Sequence, residues 1–481
     1  MNLPSAIKKL LPQSGFARGV SVLVGGTASS QALTLLAAPL LTRLYTPEDF
    51  GLLAVYSGLL AIFVVVASLR YELAIPIPKS DTEAVNVLIL SLLVVLLITG
   101  ISAIMILVAG EQIADVLDTP KLASYFWLLP LGVFLSGIYN VFNYWAVRVK
   151  AFGDIAQTNI SQTLATLVVQ LLSFKLGSIA LLFAQAGGQG VGSYRLACSA
   201  IKHKEFSSWS WAGVRVAAKR YKQFPLFSTW SGLFNTVGTQ LPPLMFAALF
   251  STSAAGLYML AHRVLALPMS ILGDAIGKVF FSNAAEAYRE GRLGPMIKTM
   301  YRKLALFAMP ATLLLVIAGP ELFVLVFGHN WREAGEFARY MAPWLYMVFI
   351  TSPLSTLFSI LEKQRLGMIF QAVLLVVRLA AILIGAYVLN ALLPTVILFS
   401  VISSLYYSAL MIWICMVSDN RVSVIIKSTL YAFGKASICL LPVLLIILLS
   451  PVSLIWIYFA LFISSVLLIY YYLCIFSSSY M

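Results

Sequence analysis

Long apolar runs alternate with short polar turns along almost the whole chain. A helix needs about 20 apolar residues to cross the hydrocarbon core of a bilayer, and about 14 runs reach that length. The pattern therefore predicts an all-α, polytopic integral membrane protein with about 14 transmembrane helices. The predicted spans lie near residues 20–44, 50–75, 84–110, 121–147, 155–175, 178–200, 225–250, 255–283, 304–328, 337–361, 367–389, 393–417, 431–449 and 452–475.

The predicted spans form two similar halves. Helices 1 to 6 precede the longest polar segment, residues 201–224, and helices 7 to 12 follow it. Each half has a span with a central proline, a short outer loop and a Gly-Leu pair that opens the next span, so that Pro39 pairs with Pro243 and Gly51 with Gly256. Many secondary transporters are built from such repeats, with the substrate site at the repeat interface.

The composition excludes a soluble globular domain, because 61% of the residues are hydrophobic, 10% are charged and the mean hydropathy is +0.94. The net charge of +14 is mainly a topology signal. With a cytoplasmic N-terminus, roughly 25 Lys and Arg residues fall on the cytoplasmic side and about 5 on the other side. An even number of spans returns the C-terminus to the cytoplasm. The basic segment 201–224 then fits anionic lipid headgroups, and we expect no nucleic-acid partner.

The sequence has no pattern typical of catalysis or of a metal site. Its four cysteines lie in or at the ends of apolar spans, without CxxC or CxxxC spacing. Neither paired carboxylates nor metal-spaced sets of His, Cys and Asp occur. We therefore expect no catalytic residue, no metal and no cofactor.

The stretch 256–281 carries ionisable residues inside a predicted span. Such residues are unfavourable in hydrocarbon and mark substrate or ion pathways. Arg263 and Asp274 share one narrow helical face, and Lys278 lies beside them. We interpret Arg263 as a candidate for substrate binding and Asp274 and Lys278 as candidates for a gate or for ion coupling. The structural alternative for Arg263 is an ion pair with an acid or contact with backbone carbonyls in the bundle. For Asp274 and Lys278 it is a simple i,i+4 pair.

Arg378 is the second arginine inside a span, about 18 Å from the basic turn 363–365 by helical rise. Centring one arginine in a span costs about 2.5–3.5 kcal/mol. An anionic ligand would offset this cost, and the planar guanidinium fits a phosphate well. The structural alternative for Arg378 is an ion pair with an acid or contact with backbone carbonyls in the bundle. Gln371 lies on the same helical face.

Small polar residues recur at intervals of three to four positions on several spans, which gives polar helical faces. Gln31 and Asn235 lie on two of these faces. Close packing and hydrogen bonding between membrane helices would explain any single face. Several faces together favour a wet cavity, so Gln31, Asn235 and Gln371 join the two arginines as candidates for substrate binding.

Three further charged residues lie near the ends of predicted spans. Arg70 and Glu72 are at a cytoplasmic helix end, and Arg43 is near an outer end. We interpret all three as candidates for a gate or for ion coupling. The alternative is that their long side chains extend to the membrane interface without a further role.

Several motifs carry a family resemblance. The run Thr-Arg-Leu-Tyr-Thr-Pro-Glu-Asp-Phe-Gly at 42–51 is followed by Arg-Tyr-Glu-Leu-Ala-Ile at 70–75 and Asp-Thr-Glu-Ala at 81–84. The second half adds Phe-Pro at 224–225, Leu-Pro at 241–242 and the helix 256–281. Together these motifs resemble bacterial polysaccharide flippases of the Wzx, O-antigen type, in the multidrug/oligosaccharidyl-lipid/polysaccharide exporter superfamily.

The resemblance implies an N-lobe (residues 1–200, helices 1–6), a basic cytoplasmic loop (201–224) and a C-lobe (225–417, helices 7–12) around a central cavity. Two additional helices (418–481) follow. It also implies a flippase in the bacterial inner membrane that moves undecaprenyl-pyrophosphate-linked oligosaccharide repeat units to the periplasmic leaflet by alternating access. Membrane lipids, a polysaccharide polymerase and a chain-length regulator are the implied partners.

Two other functional classes are alternatives to a flippase: an exporter of the same fold and a membrane enzyme. An ion-coupled drug or metabolite exporter of the same fold would need an intramembrane carboxylate, for which Asp274 is the candidate. A membrane enzyme such as a polysaccharide polymerase or an O-antigen ligase tends to carry a large periplasmic loop, which this sequence lacks.

Overall fold

The computed structural model describes residues 15–269, 274–361, 363–448, 460–464, 466–468 and 470–473. Every regular element in these residues is helical. The helices are α1 (Gly15–Leu44), α2 (Pro47–Val66), α3 (Asp81–Val116), α4 (Leu128–Arg148), α5 (Phe152–Leu172), α6 (Ser178–Ile201), α7 (Trp211–Arg220), α8 (Thr229–Leu249), α9 (Thr252–Pro268), α10 (Asp274–Arg289), α11 (Leu293–Phe327), α12 (Arg332–Leu354), α13 (Gln364–Ile384), α14 (Leu392–Val417) and α15 (Val422–Leu448).

Eight helices in the described part are long and apolar enough to cross a membrane: α1, α2, α3, α11, α12 with its extension to Ile360, α13, α14 and α15. The other predicted spans fall on α4, α5, α6, α8, α9 and a shorter apolar helix, Ala460–Leu473. Of these helices, α9 and Ala460–Leu473 are too short for the same criterion of length and hydropathy, and the other four are not apolar enough. The prediction of an all-α, polytopic membrane protein is confirmed.

The motif at 42–51 fixes the start of α2. Thr46 is the N-cap residue: its side chain accepts a hydrogen bond from the backbone N–H of Asp49 at 3.2 Å. The Asp49 carboxylate accepts one in return from the Thr46 N–H at 3.0 Å. Pro47 occupies the first helical turn, where its missing N–H has no cost. This capping box stabilises the helix start by about 0.5–2 kcal/mol.

The chain divides into two compact units, Met1–Met259 and Leu260–Met481. In the first unit, α1 packs against α5, α5 against α6, α4 against α3 and α6, and α2 against α8. Small residues allow the close approaches: a Cβ atom at Gly26 would lie 2.5 Å from the Cβ of Ala156. The lobe boundaries at residues 200 and 225 stay a prediction.

Two glycines place the start of α9 directly against α2, within the first unit. A Cβ atom at Gly51 would lie 1.8 Å from the carbonyl oxygen of Thr252, and one at Gly256 would lie 2.0 Å from the carbonyl oxygen of Pro47. No real side chain fits at either distance. Gly51 and Gly256, which the sequence repeat pairs as equivalents, therefore lie at one helix contact, and only a residue without a side chain fits at either position.

The basic segment 201–224 contains a helix, α7, that the sequence analysis did not predict. Ser210 caps it and donates its backbone N–H to the side-chain oxygen of Asn86 at 2.9 Å. Val214 and Ala217 are buried against α3, and Arg220 forms an ion pair with Glu83 at 2.6 Å. The few apolar residues of α7 are separated by basic ones, so the segment looks like a polar loop in the sequence.

In the second unit, α11 packs against α12 and α15, and α14 against α12 and α13. The 35-residue α11 bends at Ala318, whose φ of −122° and ψ of 21° are not helical. Pro320, two residues after Ala318, lacks an N–H and so interrupts the hydrogen bonds of the helix backbone. Arg339 donates to the Ile317 carbonyl at 3.2 Å at this bend, so a side chain replaces part of the lost backbone pairing.

The predicted span 256–281 corresponds to α9 and the beginning of α10. Residues 270–273 lie outside the described part of the chain, as do the side chains of Asp274 and Lys278.

Candidate functional site

Arg378 lies in the middle of α13 among aromatic rings. Its Nε donates a hydrogen bond to the Ser403 hydroxyl at 3.1 Å. The guanidinium carbon is 4.8 Å from the ring centre of Trp344, 5.4 Å from that of Phe399 and 5.8 Å from that of Tyr407. We call these four residues the Arg378 cage.

The cage stabilises the arginine without neutralising it. Each cation–π contact contributes about 0.5–2 kcal/mol, depending on desolvation, which is comparable to the cost of about 2.5–3.5 kcal/mol for an arginine in a span. None of the ion pairs in the described part of the chain involves Arg378. Among the described residues, Arg378 therefore has neither an ion pair nor a hydrogen bond to a backbone carbonyl, and its positive charge stays available to an anion.

Two helices build the cage. Phe399, Ser403 and Tyr407 follow one another at intervals of four residues and so share one face of α14. Trp344 comes from α12 and meets Phe399 edge to face at 5.3 Å. None of the four residues was predicted from the sequence, although the four-residue spacing on α14 is a signal that could have identified three of them.

A cavity of about 290 Å³ lies beside the cage, between α12, α13 and α14. Its lining combines aromatic, hydroxyl and amide side chains: Val348, Thr351, Ser352, Ser355, Phe358, Gly367, Phe370, Gln371, Leu374, Tyr406, Tyr407 and Leu410. Tyr407 belongs to both the lining and the cage. The structure therefore brings together two residues predicted from sequence, because Gln371 lines a cavity that adjoins Arg378.

Arg263 lies on α9 with an exposed side chain. Its guanidinium has no hydrogen bond or ion pair with any described residue. The neighbouring His262 ring is 5.9 Å from the ring of Trp344 and lies within electrostatic reach of Arg378. Since the side chains of Asp274 and Lys278 are not described, the roles of Arg263, Asp274 and Lys278 stay predictions.

In the first unit, one polar face takes part in helix packing. Asn159 on α5 accepts a hydrogen bond from the Tyr139 hydroxyl at 2.9 Å and donates one to Thr27 on α1 at 3.4 Å. Gln31 lies one turn after Thr27 and is half-buried, and Asn235 is exposed on α8. Neither amide forms a hydrogen bond with a described residue, so both keep their hydrogen-bonding capacity and stay predicted substrate contacts.

Arg70 and Glu72 lie in the short segment that follows the end of α2. Arg70 has a left-handed backbone, with φ of 62°, a conformation that costs a non-glycine residue about 1–3 kcal/mol. Its guanidinium lies against α8, where a Cβ atom at Gly232 would be 2.5 Å from Nη2. Its Nε is buried and has no hydrogen-bond partner among the described residues. Glu72 is 3% exposed and accepts a hydrogen bond from the Ser68 hydroxyl. Strain and burial together are typical of a functional position.

Burial raises the pKa of the Glu72 carboxyl, although Ser68, the backbone and Arg70 oppose the shift. A raised pKa stabilises the fold at low pH, and this contribution is lost as the pH rises through the folded-state pKa. We therefore expect Glu72→Gln, which keeps an acceptor for Ser68, to raise the melting temperature by about 2 °C or more at pH 8 and to have little effect at pH 4. Thermal unfolding in detergent at both pH values measures this.

The matched control is Glu48→Gln, because Glu48 is on the protein surface and pairs with the exposed Lys121 at 2.9 Å. Because this carboxylate is not buried, Glu48→Gln should not raise the melting temperature above that of wild type at pH 8. A melting temperature of Glu72→Gln that falls below wild type at pH 8 would show that the ionised carboxylate stabilises the fold.

Arg43, the last of the predicted gate residues, is exposed at the end of α1. It donates to the Pro39 carbonyl of its own helix at 2.8 Å. No more distant partner is present among the described residues, and a gate role for Arg43 stays a prediction. Within the described residues, no three His, Cys, Asp or Glu side chains come close enough to hold a metal ion.

A family model described as polysaccharide biosynthesis protein matches residues 40–336. The succinoglycan biosynthesis transport protein ExoT of Rhizobium meliloti (strain 1021) is 23% identical over 325 residues, which are 66% of this chain. The match spans 63% of the length of that curated relative.

Solved membrane transporters share the fold. The structure of lipid II flippase MurJ in an inward closed conformation superposes with a TM-score of 0.73 at 13% identity, and the match covers 95% of this chain and 99% of that one. A multidrug resistance MATE family transporter of the MOP superfamily has a TM-score of 0.60 at 15% identity, over 82% of this chain and 94% of its own. At these identities the likeness concerns the fold.

Proposed function

Because this chain belongs to the polysaccharide biosynthesis protein family, we propose that it is a flippase for lipid-linked glycans. It moves undecaprenyl-pyrophosphate-linked oligosaccharide repeat units from the cytoplasmic to the periplasmic leaflet by alternating access, and so supplies O-antigen or another surface polysaccharide. The relative named as a succinoglycan transport protein and the fold shared with a lipid II flippase support this proposal. It assigns no catalytic residue and no cofactor.

The observation that carries the proposal is the Arg378 cage. Its guanidinium is held by aromatic faces and one hydroxyl, and no acidic side chain among the described residues pairs with it. At 4 Å, a unit charge pair is worth about 4 kcal/mol at an effective dielectric constant of 20. A pyrophosphate is therefore a fitting ligand, since arginine binds two phosphate oxygens through parallel N–H bonds.

The proposed roles follow from side-chain chemistry. Arg378 and Arg263 bind headgroup phosphates, while the free amides of Gln31, Asn235 and Gln371 bind sugar hydroxyls. Five residues stay gate candidates here, and ion coupling through them belongs to the second candidate function below: Asp274, Lys278, Arg43, Arg70 and Glu72.

We place the protein in the inner membrane with both termini in the cytoplasm, where a polymerase and a chain-length regulator would receive the translocated glycan. The membrane potential supplies the driving force in this proposal, because one elementary charge is worth about 2.3 kcal/mol per 100 mV. A headgroup of roughly two negative charges gains about 4–5 kcal/mol on leaving a negative interior. The transport step needs no obligatory counter-ion on this account.

An ion-coupled drug or metabolite exporter is the second candidate, because a multidrug transporter shares the fold. Such an exporter would bind H⁺ or Na⁺ through a carboxylate. The described residues of the cage and its cavity include no carboxylate, and Asp274 stays the candidate for this role.

Arg263 tests the proposal in a deletion host that lacks its own flippase. We expect Arg263→Ala to reduce surface polysaccharide about tenfold at unchanged protein level, equivalent to ~1.4 kcal/mol, and Arg263→Lys to restore part of it. Immunoblotting of surface polysaccharide and of membrane protein measures both quantities. Full activity of Arg263→Ala would make this arginine structural. Failure of the wild-type chain to restore polysaccharide in its native host would contradict the proposed function.

A further inference from the structure

We propose that the cavity between α12, α13 and α14 is a sugar subsite, which holds one sugar ring of the glycan while the phosphates lie at Arg378. This inference rests on the proposed flippase function and specifies where one part of the headgroup binds. On this inference the second unit binds both the sugar and the negatively charged pyrophosphate of the headgroup.

Three polar side chains of the cavity have free hydrogen-bonding groups. The hydroxyls of Ser352 and Tyr407 and the amide of Gln371 line the cavity and form no side-chain hydrogen bond with a described residue. Their neighbours are satisfied: Thr351 donates to the Met347 carbonyl and Ser355 to the Ser352 carbonyl, each at 2.7 Å. The free groups therefore converge on the space that a ligand would occupy.

The same cavity has a rigid aromatic wall. Phe358 stacks on Trp413 with ring centres 4.3 Å apart and an angle of 15° between the planes. Phe370 lies 5.7 Å from Phe358. Gly367 permits this arrangement, because a Cβ atom there would lie 3.0 Å from Phe358. An apolar wall with a few placed polar groups is the usual design of a small-molecule site, and it suits a sugar ring, which has apolar C–H faces and a polar rim.

The residues that line the cavity do not suit the other two parts of the same ligand, the pyrophosphate and the polyprenyl tail. The described lining contains no charged side chain, so a phosphate would find no cation inside the cavity. A polyprenyl tail would bury three polar groups without partners, at about 1–3 kcal/mol each. The volume of about 290 Å³ is at the lower end for ligand pockets, which fits a single ring better than a complete repeat unit.

Cysteine protection tests the assignment directly. Gln371→Cys is made in a chain whose four native cysteines are replaced by alanine, and the purified protein is labelled with a maleimide in detergent. Two probes are compared: a polyprenyl-pyrophosphate-linked oligosaccharide and the same polyprenyl pyrophosphate without sugar. Arg365→Cys, which is exposed at the start of the same helix, is the matched control. Ser352→Cys reports on the same cavity if Gln371→Cys does not fold.

We expect the sugar-bearing probe, at ten times its dissociation constant, to slow labelling of Cys at 371 about tenfold, while the sugar-free probe leaves the rate unchanged. Neither probe should protect the control position. Equal protection by both probes would assign the cavity to the pyrophosphate or the tail and overturn the sugar subsite.

The assay separates this inference from the proposed function. Binding of the sugar-bearing probe is measured independently by its retention on immobilised protein. Retention without protection at 371 would overturn the sugar subsite and leave the flippase standing. An absence of retention for both probes would contradict the flippase itself.

Discussion

Arg378→Glu abolishes transport, whereas Arg378→Lys retains part of it. Glutamate places a negative charge within the aromatic cage and repels a pyrophosphate, so we expect surface polysaccharide in a deletion host to fall at least about 100-fold, equivalent to ~2.7 kcal/mol. Lysine keeps the charge and loses the planar fork, which predicts a loss of about tenfold, or ~1.4 kcal/mol. Surface polysaccharide at matched membrane protein levels measures both effects.

Two controls separate charge from folding. Arg378→Met fills a similar volume without charge and loses the attraction but adds no repulsion, so its activity should lie between those of the lysine and glutamate variants. Arg365→Glu reverses a charge at the exposed start of the same helix and should keep near-normal transport. Wild-type activity of Arg378→Glu, in a protein that remains monodisperse, would remove the cage from the mechanism.

The second large effect is expected at the contact between α2 and α9. Valine at Gly51 or Gly256 would place side-chain carbons where the Cβ atom alone is 1.8 or 2.0 Å from a carbonyl oxygen. The two helix starts must separate, which costs more than about 3 kcal/mol. We expect folded protein in the membrane to fall about tenfold or more for either variant, as measured by fluorescence-detected gel filtration.

Gly100→Val is the matched control, since a Cβ atom at Gly100 on α3 meets nothing within 4 Å. It should accumulate close to the wild-type level, because valine is unexceptional in a membrane helix. Normal accumulation of Gly256→Val would show that the close approach of α9 to α2 is not required for the fold.

The sequence could predict the helices because membrane spans follow from local composition. A run of about 20 apolar residues determines a span without reference to the rest of the chain. The capping signal at Thr46 and Pro47 is equally local. The family resemblance also rested on such local motifs, and it is confirmed by the family match over residues 40–336. By contrast, α7 escaped prediction because its apolar residues face one neighbouring helix and are few.

The site could be predicted only in part. Arg378 and Gln371 stand out because each is a polar residue in an apolar span. The cage depends on which helices pack together, and Trp344 on α12 meets Phe399 on α14 across 55 residues of sequence. A single sequence contains no signal for that pairing. Gly51 and Gly256 give a second example. The sequence repeat relates the two positions, but it does not predict that α2 and α9 contact each other there.

The most direct test of the flippase function is movement of a fluorescent polyprenyl-pyrophosphate-linked oligosaccharide across liposomes that contain the purified protein. Our account predicts flipping that requires the wild-type chain and disappears in Arg378→Glu. The rate should rise at fixed pH and Na⁺ when the compartment that the headgroup leaves is made negative. Flipping no faster than in protein-free liposomes at every potential, with intact protein and probe, would contradict the account.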